Sequence, residues 1–399
     1  MTELSVDATE ARPRSADEEP LRVAFSEADD PGAAANELAA TLRHPQLGCV
    51  LFFCSAEYDL DALGQSLGEA FGVVAVVGCT TAGEITPLGY GRGCIVAIGF
   101  DQRHFSVSQA LISDLEGFDL IGAQRLTAHL LDDCRRQALA PVGGHSFALT
   151  LLDGLSSSEE QVLASLDAAL GSIPSFGGSA GDDNRLAHTH VFYQGHFHSQ
   201  AAVVVMINTR LPFEVFTTHH LRPRGEKLVV THADHECRRV MELNAAPAAE
   251  EYARLVGCAV EDLDEQVFAR VPLAVRIGDS YYVRSIQRVN DDGSLTFYCA
   301  VEHGIVLTAM QPAPILEDLD AVFAALRERL GEPQLIIGCD CFLRRLEIEM
   351  LGQTALASQR LREQRVIGFN TYGEQHHGMH VNQTFTGVVI GRSGGTRGV

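Results

Sequence analysis

Sixteen histidines and ten cysteines give this chain ample material for metal ligation, and their placement narrows the choice. His219 and His220 follow an apolar run, Phe213 to Phe216. A neutral imidazole there is either a transition-metal ligand or a hydrogen-bonded structural group. His380 comes just after a Gly-Glu pair, Gly373-Glu374. His188, His190, His196 and His198 fall at spacing two around Tyr193-Gln-Gly195, so on a strand pair they would share faces. That pattern fits a surface metal or a solvated hairpin. His376 and His377 sit in a polar stretch that reads as an exposed loop. Cys339 and Cys341 would point the same way on a strand, and with Cys299 they offer soft ligands or simply buried thiols. No CxxC pair occurs, which argues against a zinc ribbon.

The chain has no HExxH helix, phosphate loop or kinase signature. Ser156 or Ser157, with Glu159 or Glu160 three residues on, reads as a capping box and accounts for the serine run. The stretch Phe176-Gly-Gly-Ser-Ala-Gly-Asp-Asp183 lacks the Lys of a phosphate loop. Its two aspartates would repel phosphate, so a tight turn with an acidic lip is expected.

These residues need a scaffold. A length of 399 residues exceeds what one core usually serves, so two domains are expected. Fifty-two Asp and Glu against thirty Lys and Arg leave a net charge of −22, which excludes nucleic acid and anionic membrane surfaces as partners. The longest apolar runs are strand-length, and the first residues are acidic and proline-bearing where a signal peptide needs a basic start. A cytoplasmic protein with reduced thiols is expected. Residues 1–20 read as a disordered tail, residues 21–210 as one domain and 211–399 as another. Apolar runs alternate with helical patterns throughout, the mark of an α/β fold with mixed sheets.

The ends of the chain resemble each other. Val77-Gly-Cys-Thr-Thr-Ala-Gly-Glu-Ile85 aligns with Ile367-Gly-Phe-Asn-Thr-Tyr-Gly-Glu-Gln375, sharing Gly78/Gly368, Thr81/Thr371, Gly83/Gly373 and Glu84/Glu374. Upstream, Pro45-Gln-Leu47 matches Pro333-Gln-Leu335 at a slightly smaller offset. Two related α/β halves with a ligand crevice between them follow. Gly83, Gly178 and Gly373 would let a ligand approach the backbone. Glu84, Asp182, Asp183 and Glu374 would meet an ammonium group there, or the glutamates would merely brace their turns.

Together these blocks resemble the FIST family of bacterial sensory proteins. The likeness rests on Gly78 to Glu84, Gly177 to Asp182, Val229-Val-Thr231, Glu242-Leu-Asn244 with Pro247-Ala248 and Tyr252, and Asn370 to Glu374. A closer likeness, to the haem-binding nitric-oxide-sensing FIST proteins, rests on His219-His220, Arg254 to Val256, Asp340 to Glu347, Tyr372 to Gln375 and His380 to Thr384. The resemblance implies a sensor that is not an enzyme. It would bind haem b and nitric oxide and regulate a separate histidine kinase, and with it cyclic-di-GMP or biofilm behaviour. Haem needs an axial ligand and cations for its propionates. His219, His220 and His380 are the ligand candidates, and Arg344 and Arg345 the propionate partners, unless the arginines form helix caps or surface pairs. The wider family's small metabolite, such as an amino acid, is the alternative ligand. A homodimer is compatible with the sequence.

Overall fold

The computed structural model describes residues 19–183 and 185–392. Almost all of the tail expected over residues 1–20 lies outside the described residues.

Three times the chain runs strand, helix, strand, helix, strand, hairpin, strand, the third time with two helices, Phe342–Met350 and Thr354–Glu363, between its second and third strands. The first pass uses Leu21–Ser26, Pro31–Leu42, Leu47–Ser55, Leu60–Phe71, Ala75–Thr81, the hairpin Glu84–Thr86 with Gly89–Gly91, and Ile95–Asp101. The second runs from Phe105–Ile112 to Ala202–Thr209. The third starts at Phe213–Thr218 and resumes at the helix Ile315–Leu330, ending with Phe385–Gly391. Asp30, Asp59 and Asp119 start their helices in the same way, each accepting the amide hydrogen three residues on.

Each pass builds a six-stranded mixed sheet in one order: first strand, last strand, second strand, third strand, then a hairpin. The second and third strands are parallel, as in Cys49–Ser55 beside residues 75–81 and Ile336–Cys341 beside residues 366–371. The hairpin in each sheet comes from another unit. Glu84–Thr86 follows the first unit's third strand yet pairs with Val366–Thr371 of the third. Glu374–His376 follows the third unit's and pairs with Ser175–Ser179 of the second. Val191–Tyr193 follows the second unit's and pairs with Ala75–Thr81 of the first. The exchange closes a ring.

One face of every sheet turns to a common core. It holds Leu51, Phe53 and Val77 from the first sheet, Leu149, Leu151 and Val205 from the second, and Ile337, Phe369 and Val388 from the third. Phe53 and Phe369 stack with ring centroids 4.5 Å apart. The helices cover the outer faces. Residues 221–312 form a separate antiparallel sheet of eight strands with its own core around Val230, Tyr252, Phe268 and Leu307. It is inserted between the first strand and first helix of the third unit.

The mixed α/β fold and the internal duplication are therefore present, and the duplication is part of a threefold repetition. The middle copy escaped sequence matching because its strand is Ser-Phe-Gly-Gly-Ser, with glycines that read as a turn. Gly78, Gly177 and Gly368 are equivalent: a Cβ on each would overlap the carbonyl oxygen of Phe52, Thr150 or Gly338 on the parallel neighbour. The Pro45/Pro333 match is two residues out of register. Leu47 opposes Asp101 as Pro333 opposes Gly391, which makes Leu47 and Pro333 the equivalent pair. The capping box does not form either. Ser158 occupies the cap without a side-chain bond, because Glu159 is drawn into a buried ion cluster.

Replacing Gly368 by Ala should unfold the protein or cost more than about 3 kcal/mol, the range of severe core strain. Gly68→Ala, on an exposed helix position with nothing within 4 Å, should stabilise by about 0.5–1 kcal/mol. Thermal and urea denaturation of both variants measures this; a benign Gly368→Ala would refute the close strand contact.

Candidate functional site

The three parallel strands end at one place, and their loops bond across it. Ala82 N–H donates to the Asn370 carbonyl at 2.9 Å, and Asn370 N–H to that of Gly83 at 2.7 Å. Ser179 N–H donates to the Gly373 carbonyl at 2.8 Å, and Gly181 N–H to that of Thr80 at 3.0 Å. The glycines serve this approach. A Cβ on Gly83 would meet the Arg345 guanidinium, one on Gly178 the Thr371 methyl and Phe369 ring, and one on Gly373 the His380 ring.

Glu84 and Glu374 are the same device used twice. Thr81 Oγ1 donates to Glu84 Oε1 at 2.5 Å, while Cys94 Sγ lies 3.2 Å from Oε2. Thr371 Oγ1 donates to Glu374 Oε1, and Thr384 gives Oε2 its N–H at 3.0 Å and its hydroxyl at 2.8 Å. Both carboxyls are fully buried and bind their own loop to the end of the following hairpin. That makes them braces and removes them as ammonium contacts. Burial raises both pKa values, that of Glu374 to about 8, against the hydrogen bonds that would lower it. Asp182 has the corresponding task in the second unit. It accepts the Leu186, Ala187 and His188 amides at 2.9, 2.7 and 2.8 Å and the Tyr372 hydroxyl. Those bonds hold it ionised below the usual range although burial opposes them.

Beside the braces lies a cavity of about 210 Å³ lined by Ala82, Arg92, Asp183, Phe342, Arg345, Leu346 and Glu349. All three units contribute to it. Arg345, in the first turn of the helix Phe342–Met350, donates to Glu349 Oε1 at 3.0 Å, the Gly91 carbonyl at 2.8 Å and Asn370 Oδ1 at 2.9 Å. Arg92 spans the mouth, 3.1 Å from Glu349 and 3.7 Å from Asp183. Of the acidic residues singled out in sequence, Asp183 alone faces this space.

The arginines belong to that seam and are not surface pairs. Arg344 is fully buried, donating to Asp340 Oδ1 at 2.8 Å, with His220 Nδ1 3.0 Å from its Nη1. Tyr90 donates to the other oxygen of Asp340 at 2.5 Å. His220 Nε2 is 2.8 Å from Glu347. Arginine has no lone pair to offer, so His220 Nδ1 accepts and Nε2 carries the proton toward Glu347. Both ring nitrogens are used, which removes His220 as an iron ligand and Arg344 as a propionate partner.

His380 is also enclosed. Its Nδ1 lies 3.1 Å from Glu160 Oε1 and 3.5 Å from Glu159 Oε2, and its unpartnered Nε2 abuts Gly373. Burial opposes its positive charge, but Cys299, Glu159 and Glu160 outweigh burial and raise its pKa well above the ordinary value. The ring is buried and packs against Gly373. His219 differs. Its Nδ1 is buried without a partner, and the ring lines a cavity of about 320 Å³ with Tyr281, Tyr282, His376 and Met379. Burial lowers its pKa, and that of His376 falls to about 4, so both are neutral imidazoles. His376 is a half-buried strand residue here, not an exposed loop. No Lys or Arg lines this cavity to meet propionates. The five nominated cofactor and metal contacts therefore do not converge on one haem slot; of them, only His219 both lines this cavity and has a ring nitrogen without a partner.

Residues 48–246 match the FIST N domain and residues 248–377 the FIST C domain. The chain belongs to the FIST family. Its domains are of the small-ligand-sensing kind found in signalling proteins. The border between the two matched ranges falls inside the inserted antiparallel sheet. Among solved structures, a cyanuric acid hydrolase from A. caulinodans is similar at 9% identity and TM-score 0.40, over 94% of this chain and 99% of that one. A second cyanuric acid hydrolase, described as an innovation by structural concatenation, gives 11% identity and TM-score 0.38 over the same shares, 94% and 99%. Likeness at this level says nothing of what the FIST protein binds. No curated protein matched the chain. Among the described residues no helix is long and apolar enough to cross a membrane.

Sequence reading missed Arg92, Glu349 and Arg238, and gave Glu159 and Glu160 only a capping role. The last three form a buried cluster in which Arg238 Nη2 lies 2.9 Å from Glu160 and 3.3 Å from Glu159. No motif joins Arg238 to the glutamates, since it comes from a distant segment.

The raised pKa of Glu374 makes a pH prediction. The folded state keeps the proton that the unfolded chain has lost above about pH 4.5. Stability from this group is complete below that pH, falls as pH rises, and levels off above about 8, at up to about 1.4 kcal/mol per pH unit. Glu374→Gln should flatten the urea-denaturation stability between pH 5 and 8. Parallel curves for variant and parent would show that Glu374 is ionised in the fold.

Proposed function

We propose that this FIST protein is a sensor, not an enzyme, and that it takes a small molecule bearing both a carboxylate and an amine, an amino acid in class, in the cavity where the three units meet. The observation that carries this reading is the wall itself: two guanidiniums, Arg92 and Arg345, and two carboxylates, Asp183 and Glu349, over an apolar floor of Ala82, Phe342 and Leu346. Guanidinium forks suit a carboxylate, and acidic side chains suit an ammonium. At about 210 Å³ the space falls below the roughly 300–1,000 Å³ of pockets for drug-sized ligands, so the occupant is small.

Binding would exchange the Arg92 bonds to Glu349 and Asp183 for bonds to ligand. The half-exposed Arg92 is free to move, whereas Arg345 is fixed by Gly91 and Asn370. A ligand that favours one position of the Phe342–Met350 helix shifts the population of states, which a separate partner reads. A histidine kinase is the partner class proposed for that role.

A second reading keeps haem and nitric oxide, and one observation favours it: the unpartnered Nδ1 of His219, a residue that lines the cavity of about 320 Å³. His219 would hold the haem, and haem would supply the iron at which nitric oxide binds.

A thermal-shift screen of the twenty amino acids separates these. Saturation at a hundredfold excess over Kd should stabilise by about 2.7 kcal/mol, and Arg92→Ala and Asp183→Asn should abolish the shift while leaving the unliganded midpoint unchanged. No shift with any amino acid removes the first reading. For the second, haem-supplied protein should show a Soret band that moves with nitric oxide and is lost in His219→Ala. Survival of the band in that variant, or its absence from the parent, removes haem at this histidine.

A further inference from the structure

The cluster around His380 lies outside the proposed ligand cavity, and its chemistry is unused. Glu160 opens the helix Glu159–Leu170, Cys299 follows the strand Leu295–Phe297 of the inserted sheet, and His380 sits in the hairpin strand Met379–Val381. One carboxylate oxygen, the thiol sulfur and one ring nitrogen lie within 4.8 Å of one another. We propose that Glu160, Cys299 and His380 bind one divalent transition-metal ion of the zinc type, which clamps the inserted sheet to the second and third units.

Several features support the assignment. Carboxylate, imidazole and thiolate are a zinc donor set, and bond lengths of about 2.0–2.3 Å place ligand atoms of a tetrahedral site roughly 3.3–3.7 Å apart. Glu160 Oε1 and His380 Nδ1 are already 3.1 Å apart, and Cys299 Sγ lies within 4.8 Å of a ligand atom of each residue. Glu159 Oε2, 3.5 Å from the same nitrogen, is the nearest fourth donor. Asn382 Oδ1, 2.8 Å from Cys299 Sγ, orients the thiol. His380 Nε2 faces Gly373, which leaves Nδ1 as the coordinating atom.

The experiment uses the full chain, stripped with a chelator and reloaded with one molar equivalent of Zn(II) or Co(II). X-ray absorption at the zinc edge should show a single sulfur at about 2.3 Å with nitrogen and oxygen neighbours. The cobalt form should show a thiolate charge-transfer band that disappears in Cys299→Ser and persists in Cys237→Ser, where the thiol is exposed. A sulfur-free zinc shell would place the ion on the His196/His198 hairpin and overturn the proposal. Two or more sulfurs, no binding at one equivalent, or a band that survives in Cys299→Ser would do so as well. Should Cys299→Ser fail to fold, the zinc-edge result on the unaltered chain decides alone.

Discussion

Each of the three mixed sheets is finished by a strand pair that belongs to another unit, and that exchange is the constraint on which the rest depends. The parallel strands at residues 75–81, 175–179 and 366–371 would otherwise present an open edge to water. Because each hairpin leaves its own unit directly after the parallel strand, the connecting loop must cross the centre. Three loops therefore meet there, and the tight backbone bonds among Ala82, Gly83, Asn370, Gly373 and Ser179 result. The cavity, the braces and the small residues all follow from that crossing.

Where units meet, buried ions replace apolar contact. Tyr90, Asp340, Arg344, His220 and Glu347 form one chain of hydrogen bonds joining the first unit, the third unit and the start of the inserted sheet. Glu159, Glu160, Arg238 and His380 do the same between the second unit, the insertion and the third. Such pairs contribute little net stability, since desolvation offsets their attraction, but a single missing partner is costly. Their value lies in fixing which segments meet. The core of Phe53, Leu151 and Phe369 supplies the driving force without that discrimination.

Much of this was legible in the sequence. Strand runs such as residues 47–55 and 202–209 are apolar on both faces because helices cover one side and the common core the other. The Gly-Thr-Gly-Glu match located two of the three crossings, since their braces keep the same spacing to Cys94 and Thr384. The middle crossing substitutes an aspartate that binds backbone amides, so the same task leaves a different signature. The histidines were harder. A buried His380 between glutamates and a buried His220 against Arg344 look in sequence like free ligands, because their partners lie more than a hundred residues away. Arg92 and Glu349 carried no signal at all: each is an ordinary surface charge until the fold sets them side by side.

The cyclic exchange has a consequence for synthesis on the ribosome. The edge at Ser175–Ser179 waits for Glu374–His376, and the hairpin at Glu84–Thr86 waits for Val366–Thr371. A nascent chain that has emerged only through the second unit holds one exposed edge and one orphan hairpin, each a template for wrong pairing. The second and third mixed sheets do not complete until the last strands arrive, so the protein is committed to late closure of the ring. The named N- and C-terminal segments are thus poor candidates for separate expression, since neither can satisfy its own hydrogen bonds.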